Sequence, residues 1–198
     1  MTKLTNFLVL FLVLNFSSYS QNFLSTSGTS IVNENGDTII FRGMGLGGWM
    51  VQEGYMMAPG GFSSTQYQIK DRLIELIGEE ETDVFYHNWL SNHVRKIDID
   101  SMKQWGFNLI RVPIHYNLFT EPIENEPFPN AYTEKEIGFT LLDSLLSWCK
   151  HNQIYLMIDL HAAPGGQGYN ADISDYDPTK PSLWESTLNQ NKTVELWR

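Results

Sequence analysis

The chain has 198 residues, a formal net charge of −10, six tryptophans and one cysteine. An acidic surface disfavours nucleic acid and anionic membrane as partners and is compatible with a neutral polymer. One cysteine excludes an internal disulfide and a cysteine-rich metal site; Cys149, at an apolar helical position of LLDSLLSWCKH, reads as a buried structural thiol.

Residues 1–20 carry Lys3, an apolar run from Phe7 to Leu14 and a small-residue exit at Ser18-Tyr19-Ser20. That pattern predicts a secretory signal peptide cut before Gln21. The run is too short to cross a bilayer, which needs about 20 apolar residues. After cleavage no membrane association is expected, and the localisation is secreted, periplasmic or cell-surface. Residues 21–198 fit one domain of roughly 100–200 residues.

TSIVNENGDTIIFRGMGLGGW alternates, breaks at Asn35-Gly36 and resumes, predicting a hairpin that feeds a strand, with the glycines at 43, 45, 47 and 48 ending it in a tight turn. Residues 65–105 read as helical. Leu73, Ile74, Leu76 and Ile77 form one apolar stripe and Val84, Phe85, Trp89 and Leu90 another, with Gly78 between them. FNLIRVPIHY (107–116) is a short apolar run, and QIYLMIDLHAAPGG (153–166) is a second near-continuous apolar strand that ends in a Gly/Pro loop. Between them, Thr133 and Glu136 predict a capping box opening a helix over 133–152. SLWESTLNQNKTVELWR begins another helix.

Strands without alternation are buried on both faces, as in a parallel sheet wrapped by helices. A doubly wound sheet and an eight-fold barrel both fit this order. GMGLGGW lacks the G-x-G-x-x-G spacing of a dinucleotide site, and no helix opens directly after it. Polar and aromatic residues gather beyond the strand ends, where barrel enzymes build their sites. They are Trp49, Gln52, Glu53 and Tyr55 after the first strand, Arg111, His115 and Tyr116 on and after the second, and His161, Gln167, Asn170 and Asp172 after the third. Cationic donors, neutral hydrogen-bonding groups and stacking rings suit a polyhydroxylated ligand. Asp159 shares the period-two face of His161 and reads as a supporting residue. No cofactor is expected; His87 and His93 with Asp98 and Asp100 give no ligand spacing, so no metal is expected either.

LGGWMVQEGYM (46–56), GFNLIRVPIHY (106–116) and YLMIDLHAAPGGQ (155–167), in that order, resemble the first three strand-and-loop units of glycoside hydrolase family 5, in its cellulase and exo-1,3-glucanase branch. The resemblance implies a (β/α)8 TIM barrel, of which about the first three βα units lie in this chain. It also implies a retaining hydrolase of β-linked poly- or oligosaccharides of cellulose or 1,3-glucan type. Such enzymes use two glutamates about 5–5.5 Å apart, one as acid/base and one as nucleophile. By the same resemblance Arg111 would hold the nucleophile ionised, His161 would line the subsite beside the scissile bond, and Glu53 would grip hydroxyls of the innermost glucose. Trp49 and Trp184 would shape the site or stack against the sugar, and Tyr116, at the end of the second strand, is a further candidate for substrate binding.

PIENEPFP (122–129) contains the Asn-Glu-Pro triplet in which the family's acid is often found. Three prolines and no apolar run before it exclude a central strand there, so Glu126 reads as a loop residue and not as the acid. Both catalytic glutamates are expected beyond Arg198, the acid/base some 15–25 residues on, by roughly one helix, loop and strand. The chain is accordingly expected to be an N-terminal fragment, inactive alone. The competing readings are a non-catalytic glycan-binding protein on a truncated barrel scaffold and an unrelated α/β enzyme.

Overall fold

The structure, a computed structural model, describes residues 24–58, 61 and 63–198. The expected leader lies outside the described residues, as does the side chain of Asp172. The chain divides into two compact units, Met1–Ile40 and Phe41–Arg198. In the first, β1 (Ser25–Ser27) and β2 (Ser30–Val32) form an antiparallel hairpin. It turns at Gly28, whose φ of +60° suits glycine, which is earlier than the sequence pattern suggests. The Asn35-Gly36 turn is also formed: Asn33 Oδ1 accepts from the N–H groups of Asn35 and Asp37 at 3.0 and 2.9 Å. Its returning arm reaches only an isolated bridge between Val32 and Thr38.

The second unit is built on a parallel sheet in the order β3 (Gly43–Gly45), β4 (Leu109–His115) and β5 (Tyr155–Ala162), with Gly45 beside Arg111 and Arg111 beside Met157. The strand expected ahead of the glycine cluster is therefore inside it, and the turn follows at Gly48 (φ +76°). Helices α1 (Gly54–Met57), α2 (Gln66–Ile77), α3 (Glu79–Asn92) and α4 (Lys96–Gln104) fill the first crossover. Thr65 Oγ1 caps α2 by accepting from Gln68 N at 3.3 Å. Gly78, at φ +86°, separates α2 from α3, and Glu79, Glu80 and Glu81 complement the dipole at the start of α3. Helix α5 (Glu136–Asn152) forms the second crossover; α6 (Ala171–Ser174) and α7 (Thr187–Leu196) follow β5. All-parallel pairing with intervening helices is the arrangement of successive βα units in a (β/α)8 barrel.

The core lies between β4 and the helices. Ile110, Val112 and Ile114 meet Ile99 of α4 and Leu145 and Cys149 of α5, with Leu46, Trp49, Met50, Leu90 and Phe119 around them. Each large apolar side chain buried this way contributes about 1.5–3 kcal/mol. Burial pushes the Cys149 thiol up to about 11, so it is an inert core group.

Pro113 sits in the middle of the central strand, where a missing N–H is normally costly. Arg111 O accepts from Leu46 N at 2.9 Å and His115 N donates to Met50 O at 3.1 Å. The odd-numbered residues of β4 thus direct their backbone groups towards the β3 side. Between those two bonds the chain turns away through residues 47–49, so Pro113 falls where a partner carbonyl is not required.

Helix α5 starts at Glu136 with Lys135 at the N-cap and no side-chain cap bond, which corrects the expected start at Thr133. Thr133 spends its capping chemistry elsewhere: its N–H and hydroxyl bond to the Glu126 carboxylate at 3.0 and 2.7 Å.

Candidate functional site

Alternation along β4 sends Ile110, Val112 and Ile114 into the helix-packed core and Arg111, Pro113 and His115 to the opposite face. Parallel register carries that face across to Met157 and Asp159 on β5. His161 follows Asp159 by two residues and shares its side. On β3, Gly43 and Gly45 occupy this face and add no side chain to it.

Four polar side chains meet there. Asp159 Oδ2 accepts from Arg111 Nη2 in a short ion pair and lies 2.9 Å from His161 Nδ1. Arg111 Nη2 is also 3.1 Å from that ring nitrogen. On the far side of the imidazole, Nε2 is 3.5 Å from Glu53 Oε1. Exposure grades across the group, from 4% for the Glu53 side chain to 20% for His161 and 42% for Arg111. Glu53 occupies the N-cap of α1, and the chain after Met50 carries it to the end of the sheet. The Tyr55 phenol is raised by desolvation, then by the charge of Glu53 and a hydrogen bond to it, which brings a fifth group to the edge of the cluster.

The loop after β5 is tied to this cluster by Gln167. Its Nε2 donates to the His161 carbonyl, and its Oε1 accepts from Ala163 N at 3.1 Å. Trp184 Nε1 donates to the Gln167 carbonyl at 2.7 Å while the residue stays 69% exposed. That indole is anchored by its edge and presents its rings to solvent, as a stacking surface requires. A guanidinium has five N–H donors; Asp159 orients Arg111 and leaves donors to spare for a second carboxylate or for hydroxyls.

Two of the sequence-predicted residues stand apart. Trp49 is 2% exposed in the core and donates Nε1 to the Leu90 carbonyl at 2.9 Å, so its ring faces are covered by protein and it is not a stacking platform. Tyr116 stacks on His115, ring centroids 5.0 Å apart, beside the polar cluster and not within it. Burial is the main cause that raises its phenol, followed by the nearby carboxylates of Glu124 and Asp175.

His115 itself is buried and belongs to a pair that sequence reasoning missed. Its Nε2 is 2.9 Å from Asp175 Oδ2, with side chains 2% and 12% exposed. The partners are sixty positions apart, and no local pattern signals them.

Glu126 is confirmed as a loop residue. Its carboxylate is buried against Lys192, Thr120 and Thr133. Burial raises its pKa, but the hydrogen bonds from Lys192 and Thr133 outweigh this and lower it to about 2. A general acid needs the opposite shift.

Residues 69–194 match the family model described as cellulase, glycosyl hydrolase family 5. A β-xylosidase of Phanerodontia chrysosporium is 34% identical over 176 residues, 88% of this chain and 35% of its own length. A probable glucan 1,3-β-glucosidase A of Aspergillus niger is 32% identical over 159 residues, 78% of this chain and 36% of its own. The chain thus spans about a third of the length of the curated relatives it matches. The crystal structure of a rutinosidase from Aspergillus niger superposes with a TM-score of 0.58 at 18% identity, over 79% of this chain and 42% of that one, a likeness of fold. Among the described residues, no helix is long and apolar enough to cross a membrane.

Proposed function

Since this chain belongs to the cellulase family, glycosyl hydrolase family 5, we propose that it forms part of an exported, retaining hydrolase of O-glycosidic bonds in β-glucan. The observation that carries the proposal is the cluster of Glu53, Arg111, Asp159 and His161 at the C-terminal side of adjacent parallel strands. Barrel enzymes place their chemistry on that side.

In this reading Asp159 fixes the Arg111 fork, and the remaining guanidinium donors hydrogen-bond a catalytic carboxylate. A fixed positive charge lowers the pKa of such a carboxylate and keeps it ionised as a nucleophile at neutral pH. His161, held through its carbonyl by Gln167 and through its ring by Asp159, lines the sugar position next to the scissile bond. Glu53 accepts from hydroxyls of the innermost sugar, where charge-assisted hydrogen bonds are the strong kind. Trp184 stacks on a ring farther out. The acid/base and nucleophile roles are assigned to no glutamate among the described residues.

Glu53 and the LGGW stretch, with the glucan 1,3-β-glucosidase relatives, favour a 1,3-linked substrate over cellulose. The test is release of reducing sugar by the complete gene product from a soluble β-1,3-glucan, from carboxymethylcellulose and from xylan. Faster release from the 1,3-glucan, abolished by Arg111→Ala, is the expected result. No release from any of the three polymers would overturn the proposal.

A further inference from the structure

The residues from Trp49 to Glu53, between β3 and α1, are each no more than 3% exposed. Backbone buried outside regular structure must find its hydrogen-bond partners elsewhere, and here the α2–α3 pair supplies several. Trp89 Nε1 of α3 donates to the Gly48 carbonyl at 2.9 Å, and Trp49 Nε1 donates to the Leu90 carbonyl at 2.9 Å. The Leu90 carbonyl belongs to the last turn of α3, where intrahelical donors run out. Each segment thus lends an indole to the other's backbone.

Gln52 is held on two sides. Its N–H donates to Gln66 Oε1 of α2 at 2.8 Å, and its own Oε1 accepts from the Tyr86 hydroxyl of α3 at 2.8 Å. Burial, then the charges of Asp175 and Asp71, push the Tyr86 phenol up, so it stays protonated as the donor. Gln52 Nε2 is buried with no partner among the described residues. A leftover buried donor costs stability, which an apolar side chain would avoid. Packing therefore does not account for an amide at this position, whereas the bond from Tyr86 does.

The next residue is Glu53, in extended backbone at φ −118° and ψ 125°. Successive side chains of an extended segment leave on opposite sides. Gln52 accordingly meets α3, while Glu53 lies 3.5 Å from His161 Nε2. Glu53 makes no side-chain cap bond to α1, so its carboxylate is kept for the site. On its other side, Gly54 N donates to Ser64 O at 2.8 Å, and a Cβ at position 54 would lie 2.3 Å from that oxygen. Two fixed neighbours bracket the carboxylate.

We propose that Gln52 and Tyr86, with Gln66, are positioning residues through which the α2–α3 pair holds the Glu53 carboxylate against His161 and sets affinity for the sugar that Glu53 grips. The inference rests on the glycan-hydrolysing reading above and adds to it what fixes the sugar-gripping group.

The test uses the complete gene product with its Tyr86→Phe, Glu53→Gln and Thr82→Val variants and the combination of the first two. Kinetics are measured on a β-1,3-glucan oligosaccharide. The His161 ring is followed by nitrogen NMR without substrate, its signals assigned by their loss in His161→Gln. Tyr86→Phe should raise KM about three- to tenfold, the worth of one hydrogen bond, with kcat nearly unchanged. The combined variant should be no worse than Glu53→Gln alone, because Tyr86 acts through Glu53. The His161 signals should move in Tyr86→Phe and stay in place in Thr82→Val, whose hydroxyl bonds Gly78 O at the start of the same helix. Gln52→Leu, with the same expectations, stands in if Tyr86→Phe does not fold. Unmoved His161 signals, signals that move equally in Thr82→Val, an unchanged KM or a fully additive combination each overturn the assignment. If the unaltered protein cleaves no glucan, or Glu53→Gln leaves KM unchanged, the hydrolase reading of Glu53 fails and the His161 signals alone decide the positioning.

Discussion

Lys192 of α7 and Glu126 of the β4–α5 loop face each other inside the protein, each side chain 3% exposed. Lys192 Nζ also reaches Thr120 Oγ1 at 3.0 Å and lies 5.3 Å from the centre of the Tyr132 ring. The pair clamps the loop of residues 120–134 to the last described helix. Removing one member of a buried pair leaves the other charge uncompensated, at about 3–5 kcal/mol. Glu126→Ala should lower the urea midpoint accordingly, and Glu126→Gln combined with Lys192→Met should recover most of the loss. A Glu126→Ala midpoint equal to that of the unaltered protein would remove the clamp from the account of stability.

The same carboxylate makes a pH prediction. Its folded pKa of about 2 lies below the unfolded value of about 4.3. Its contribution is therefore complete above the unfolded value and is lost as pH falls from about 4.3 towards 2. Between pH 5 and pH 2 the unaltered protein should lose stability more steeply than Glu126→Gln. Parallel pH–stability curves would show that the ion pair does not set the acid limit.

Arg111 is predicted to act on turnover more than on binding. Arg111→Ala should reduce kcat by about 10²-fold or more while KM moves little, the pattern of an electrostatic contact that matters most in the transition state. Arg111→Lys should not restore it, because an ammonium cannot hold Asp159 and a second carboxylate in the fork geometry. Equal kcat in Arg111→Ala and the unaltered protein would remove the assigned role.

The two tryptophans from the sequence analysis should separate by readout. Trp49→Ala empties a core position and should cost about 3–5 kcal/mol of stability. Trp184→Ala should leave the melting temperature nearly unchanged and raise KM for oligosaccharides severalfold, since its exposed ring contributes stacking. The reverse pattern would exchange their roles.

How much of this was legible in the sequence varied with the range of the interactions involved. β4 and β5 were readable from their unbroken apolar runs, although the expected cover on both faces is met by β4 and not by β5, where Met157 and Ile158 stay exposed. β3 was not, since Gly-Met-Gly has no strand propensity of its own and pairs because β4 lies beside it. The face shared by Asp159 and His161 followed from the two-residue period, and their meeting with Arg111 followed once the register was known. Thr133 and Glu136 satisfied a local capping rule, yet Glu126 seven positions earlier took the threonine. His115 and Asp175 had no local signal at all. In each miss, a partner from another element outweighed the short-range preference.

The anomer first released reports most directly on the proposed retaining hydrolysis of β-glucan. Time-resolved proton NMR of β-1,3-glucan oligosaccharide cleavage by the complete gene product should show the β-anomer of the new reducing end first, followed by slow mutarotation. Initial appearance of the α-anomer would contradict the retaining mechanism, and no cleavage would contradict the assignment as a glucan hydrolase.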